Sequence, residues 1–336
     1  MTRNTLVLLG AALLVSCAER EGPIEPKDAF KVVASIPTEG QVYDVVVDDG
    51  WAYLATGELG LTTIDVRDPE APAQGGRLDP PNGYSKSLVV VDRGMRKFAC
   101  VTAGSYLGMF VADVTDPTAP FYWTEVQPSY VESYEDVAAV DTMLYVADRS
   151  GGLVSFDIKE IDHTPPDLHF ANRLRLPGYA RGVAVRDGVI YVAQGEAGLV
   201  TARHRPDNFS GVMEPLDSLD TEDYANDVAV GSLGNQVVAF VADNARGIWV
   251  IDATDPADLR QIGWHRTPGN AKQVILHRDR LLVADSYEGV LVLDVSRPDR
   301  PHVIGQYVVN ASYSMAADDD YIYVGTTRNG LVILSW

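Results

Sequence analysis

Apolar residues recur along this chain in short runs and not as the stripe of a helix. "YDVVV", "SLVVV", "EDVAAV", "RGVAV", "NDVAV", "KQVIL" and "YSMAA" are each followed, after a polar turn, by a second run: "WAYLAT", "KFACVT", "MLYVAD", "VIYVAQ", "VAFVAD", "LLVAD" and "YIYVG". A glycine-bearing loop leads to a third run, typified by "GIWVIDA" and "GVLVLDV", then to an Asp-Pro or Arg-Pro turn and a more polar fourth segment such as "HVIGQYVV". Short β-branched and aromatic runs punctuated by Gly, Pro and Asp predict strands. Apart from the first residues, no window sustains a helical apolar period.

The glycines that open the third run are Gly60, Gly108, Gly152, Gly198, Gly247, Gly289 and Gly330, at intervals of 41 to 49 residues. Four antiparallel strands in a unit of that length predict one β-propeller blade. Seven such units fill residues 30–336, an all-β, seven-bladed propeller. The first two strands of each unit are the most continuously apolar and are expected to lie buried between blades. The chain stops at "LVILSW", the third strand of unit seven. "KVVASI" at residues 31–36 precedes unit one and supplies the missing fourth strand, so the ring closes without a free edge.

Five third strands end in Asp65, Asp113, Asp157, Asp252 and Asp294. On different blades these carboxylates are too far apart to share an ion, and each is expected to accept hydrogen bonds from its following turn. The strands "GLTTIDVRDPEAP", "GIWVIDATDP" and "GVLVLDVSRPDRP", each after a "YVAD"-like strand, resemble the LVIVD-repeat propellers of bacterial and archaeal surface proteins. The resemblance is clearest in units one, two, five and six, and unit four, "GLVTARHRP", lacks the Asp. It implies an interaction role at a surface and no particular reaction.

The N-terminus carries Arg3 and then an apolar stretch from Leu6 to Val15. That is shorter than the ~20 residues a bilayer span needs and has signal-peptide proportions. The stretch ends in "LVSC", which resembles the bacterial lipobox. This implies that residues 1–16 are a removed signal, that Cys17 is lipidated, and that residues 17–29, polar with two prolines, form a tether. Ala18, and not Asp, follows the cysteine, so the expected location is the cell envelope at the outer membrane.

Charge narrows the partners. Asp and Glu number 47 against 27 Lys and Arg, for a net −20, which excludes nucleic acid because phosphate neutralisation needs clustered bases. Membrane contact is expected through the lipid anchor only. The other cysteine, Cys100 in "KFACVT", reads as a small buried hydrophobe. The six histidines lack metal-ligand spacing, "DDDY" at 318–321 reads as a solvated turn, and no phosphate loop, nucleophile elbow or calcium loop is present. No metal, cofactor or catalytic residue is assigned, and a monomer is expected.

What remains is one end of the channel. Residues just before each first strand ring the axis: Tyr43, Lys86, Glu135, Arg181, Asn226, Lys272 and Tyr313. Second-to-third loops bring Glu58, Tyr106, Arg149, Glu196, Arg246, Glu288 and Arg328 to the same end. A position that varies in charge while its scaffold repeats is a candidate for contact with something else. The ring residues with Arg149, Arg246 and Arg328 form the candidate binding set, while Tyr179 and Tyr224 are expected to pack under blade rims. Lys86, Arg181 and Lys272 would focus positive potential, so an anionic ligand is expected. The expected function is an envelope-anchored module binding a protein or glycan through this face. The alternative is a hydrolase or lyase on an anionic or sugar-like substrate, with Glu135 as acid–base group and Arg181 holding the anion.

Overall fold

A computed structural model describes residues 30–79, 83–104, 108–126, 133–149, 152–205, 211–309 and 312–336, excepting the side chains of Asp167, Ser312 and Tyr313. Cys17 and Tyr106 lie outside the described residues. Seven four-stranded antiparallel sheets follow one another along the chain. Their innermost strands are Asp44–Asp48, Tyr84–Asp92, Tyr134–Val140, Gly182–Arg186, Asp227–Leu233, Ala271–His277 and Ser312–Ala317, in blades one to seven. Each sheet then steps outward in sequence order. Blade seven is the exception, and its outermost strand is Lys31–Ile36, antiparallel to Leu331–Ser335.

The repeated glycine has a physical reason. All seven have φ between 70 and 86°, a region that costs an L-residue roughly 1–2 kcal/mol. Space is short as well: at Gly289 a Cβ would stand 2.2 Å from the Tyr307 carbonyl oxygen of the outermost strand. At Gly330 it would stand 2.3 Å from that of Ile36. The N-terminal strand therefore occupies the place that a fourth strand fills in other blades.

The core is divided among seams. Seven clusters of buried apolar side chains each join two neighbouring blades, such as Phe240, Val250, Val283 and Leu291 between five and six, or Ile36, Leu54, Tyr323 and Ile333 between seven and one. Alternate residues of one strand face different seams, so a continuously apolar strand is buried on both faces. The second and third strands fit that description, as in Val189–Ala193 and Met109–Asp113, which are buried throughout. The innermost strands do not. Only Val45 of Asp44–Asp48 is fully buried, because part of each innermost strand lines the channel. The first-strand expectation is corrected accordingly.

All five strand-end aspartates accept the backbone N–H two residues on, from Arg67, Thr115, Lys159, Thr254 and Ser296, at 2.8–3.1 Å. Cys100 is buried and free, its thiol pushed up to about 12 by desolvation. At "DDDY", Asp318 accepts the N–H groups of Asp320 and Tyr321 and the Tyr323 hydroxyl, which makes it a turn. Among the described residues no group of His, Cys, Asp or Glu is placed to hold a metal ion, and no helix is long and apolar enough to cross a membrane.

Candidate functional site at the channel mouth

Tyr43, Lys86, Glu135, Arg181, Asn226 and Lys272 all line one cavity of about 650 Å³ on the axis. Of Tyr313 only the backbone strand is described. Tyr43, Arg181 and Asn226 stand just before their innermost strands, whereas Lys86, Glu135 and Lys272 lie within the first residues of theirs, at register shifts in the ladder.

Glu135 is the hub. Its side chain is 2% exposed, and Oε2 pairs with the Lys86 ammonium and lies 3.6 Å from the Arg181 guanidinium. Oε1 accepts the Ser133 hydroxyl at 3.0 Å. Arg181 also stands 5.6 Å from the Tyr224 ring, which packs against Gly195. Lys272 donates to the Asn244 amide oxygen at 3.1 Å and makes no ion pair among the described residues. Burial lowers the Lys86 and Lys272 pKa values, and the nearby Arg181 charge lowers both further. Two of the three ring cations, Lys86 and Arg181, thus share the one ring acid, and Lys272 stands apart from it. Asn226 donates to the Ala271 carbonyl and so has a structural bond. Tyr43 donates to Gln41 and packs at 5.0 Å against Tyr84, and the two line a side pocket of about 420 Å³.

Three candidates stand away from the cavity. Arg149 is exposed on the rim, its guanidinium 5.9 Å from the Tyr179 ring; its charge still reaches Lys86. Arg246 turns outward to Glu222, at 3.5 Å, and Arg328 is exposed in its loop. The second-to-third loops belong to the mouth end of the propeller, but Arg149, Arg246 and Arg328 are not among the residues that line the cavity. Tyr224 packs under its rim, whereas Tyr179 is 49% exposed.

One position deeper lies a layer that sequence reasoning missed: Asp44, Ser87, Asp136, Gly182, Asp227, Gln273 and Ser314. Asp44 accepts the N–H groups of Val45 in its own blade and Leu88 in the next, and the Ser314 hydroxyl of blade seven. Asp136 likewise joins Val137 to Val183, and Asp227 joins Val228 to Val274. Gln273 accepts from Met315, and Ser314 from Val45. Gly182 leaves room for Asp227, since a Cβ there would meet its Oδ1 at 2.7 Å. These bonds stitch neighbouring blades together around the axis.

Burial raises all three carboxyl pKa values of this belt, and the Asp44 and Asp136 charges raise those of their neighbours further. The Ser87 hydroxyl contacts both Asp44 at 2.9 Å and Asp136 at 2.7 Å. The one hydroxyl hydrogen serves only one of them at a time. The signal was present in "YDVVV", "EDVAAV" and "NDVAV", where Asp recurs on alternate blades.

Comparison with known proteins fits this architecture. The LVIVD repeat family matches residues 39–79, 133–167, 177–201, 268–309 and 312–334. The chain belongs to the LVIVD-repeat family. As an LVIVD-repeat propeller it is a binding or scaffold module. The matches fall on blades one, three, four, six and seven, so the clarity expected of units two and five is not what the family match singles out. Among solved structures, the crystal structure of the computationally designed Ika8 protein is similar, with a TM-score of 0.58 and 8% identity over 91% of this chain and 99% of that one. At that identity the likeness shows the fold alone. Among curated proteins none matches.

Proposed function

We propose that this LVIVD-repeat protein takes an anionic group of a protein or glycan into the channel mouth, and that acylated Cys17 holds it at the cell envelope. The placement of Lys86, Arg181 and Lys272 around one cavity of about 650 Å³, with Glu135 the single acid of that ring, carries the reading, because such a ring in an acidic protein focuses positive potential. Burial raises the pKa values of the belt carboxyls beneath, which lessens the negative charge that opposes the ring. The Glu135 carboxylate is spent on two cations, which supports a binding role over an acid–base one. The LVSC motif supports the anchor.

Removing Lys86 and Arg181 alone would strand Glu135 as a buried, unpaired acid. The test is therefore the fourfold variant Lys86→Gln, Glu135→Gln, Arg181→Gln and Lys272→Gln, titrated calorimetrically with an acidic oligosaccharide, an acidic peptide and neutral counterparts. Wild type should bind an acidic probe with affinity that falls as salt rises. The variant should bind it at least tenfold more weakly and with little salt dependence. Equal binding by both proteins refutes the site.

A further inference from the structure

Blade five departs from its own repeat on the outer wall. Its third and fourth strands pair Trp249 with Trp264. The equivalent pairs in the other blades are Thr62 and Arg77, Phe110 and Glu125, Val154 and Arg173, Val200 and Ser218, Leu291 and Gln306, and Val332 and Ser35. A scaffold that repeats seven times does not require two indoles here, and blade five is one of the two that the family match passes over.

The pair forms part of a pocket of about 230 Å³ with Glu222, Arg246 and Gln261. Trp264 is 47% exposed, and its indole N–H is committed to the Arg246 carbonyl at 2.7 Å. That bond fixes the ring and leaves its apolar surface for a ligand. Trp249, 6% exposed, also lines the pocket, and its indole N–H has no acceptor. Glu222 and Arg246, both more than half exposed, face each other at 3.5 Å and bring acceptor and donor groups to the rim. The backbone beneath is held: Ala245 N–H donates to Asp223, and Asp243 N–H to the Gly247 carbonyl.

We infer that this pocket binds one uncharged sugar ring, a second site separate from the channel mouth. An aromatic plane takes the apolar face of the ring, and the carboxylate, guanidinium and amide take hydroxyls that both donate and accept. The paired Glu222 and Arg246 charges cancel, so the pocket selects neither sign. The volume is that of about eight waters at ~30 Å³ each, room for a single ring. A proline-rich peptide would need a run of aromatic grooves along an extended helix, and this pocket is a single one. One loop serves both sites, with Asn244 turned to Lys272 in the mouth and Arg246 to the pocket.

The full-length protein is titrated with neutral glucose, galactose and N-acetylglucosamine oligosaccharides, read by saturation-transfer NMR and indole fluorescence. At least one should bind with a millimolar to high-micromolar constant and perturb Trp264. Trp264→Ala should weaken it at least tenfold, and Gln261→Ala, an exposed change that leaves folding intact, severalfold. The fourfold-neutral mouth variant should bind it as wild type does, which keeps this claim separable from the anion site. No transfer to any of these sugars overturns the inference. So does binding that survives Trp264→Ala, or a pocket that takes proline-rich peptide and no sugar.

Discussion

Glu135→Gln should do two opposite things at once. The substitution keeps shape and the Ser133 hydrogen bond but leaves Lys86 and Arg181 facing each other. Breaking a fully buried pair costs about 3–5 kcal/mol. Both cations are about 30% exposed, and solvent screening lowers the expected loss to roughly 1–2 kcal/mol. In a protein of this size that is a fall in Tm of only a few degrees. Anion binding should rise: one negative charge removed ~6 Å from a bound anion, at an effective dielectric near 50, is worth about 1 kcal/mol, or roughly fivefold. Calorimetric melting and titration with an acidic oligosaccharide, at low and moderate salt, read both effects. A variant that melts as wild type and binds the anion more weakly would mean that Glu135 contacts the ligand itself, and the electrostatic reading of the mouth would fall.

Three further outcomes are expected. Asp136 and Asp227 keep protons in the folded state that an unfolded Asp releases near 3.9; stability should be highest near pH 4–5 and decline as pH rises through their raised values, by up to ~1.4 kcal/mol per unit for each retained proton. Urea midpoints between pH 5 and 8.5 measure this, and Asp227→Asn should flatten the slope; a slope it leaves unchanged refutes the assignment. Deleting residues 30–37 removes Ile36, and Phe30 from above Gly305, so about 3 kcal/mol or more of apolar burial is lost and an open edge is exposed; an unaltered melt and solubility would contradict closure by this strand. Cys17→Ser should move the protein from the membrane to the soluble fraction, and a wild-type protein without lipid by mass spectrometry would end the anchor proposal.

The architecture was legible because its most demanding positions admit few residues. A glycine forced to positive φ against a neighbouring carbonyl, as at Gly289 and Gly330, marks each blade whatever the surrounding sequence. The ring of Tyr43, Lys86, Glu135, Arg181, Asn226 and Lys272 followed from counting back from each first strand. What each ring residue holds did not follow: that Glu135 ties two of the bases depends on side-chain reach across three blades. The Asp44, Asp136 and Asp227 belt was visible as letters but not as bonds, since its partners on neighbouring blades lie 42–49 residues away, or 270 where Ser314 meets Asp44 across the closure. The Trp249–Trp264 pair was hidden because its second member sits in the outer strand, whose polar look draws no attention to a lone aromatic.

Closure by the Lys31–Ile36 strand also sets the end of the propeller at which the chain enters. Ile36 pairs with Leu331 at the end where the mouth lies, and Lys31 pairs with Ser335 at the other. The preceding chain therefore leaves the outer wall of blade seven at the end opposite the cavity. If the proposed anchor at Cys17 holds the protein, the attachment reaches the propeller at its rear rim, the end away from the basic ring. Entry of the chain and opening of the mouth thus fall at opposite ends of the propeller, which leaves the cavity unobstructed by the closing strand.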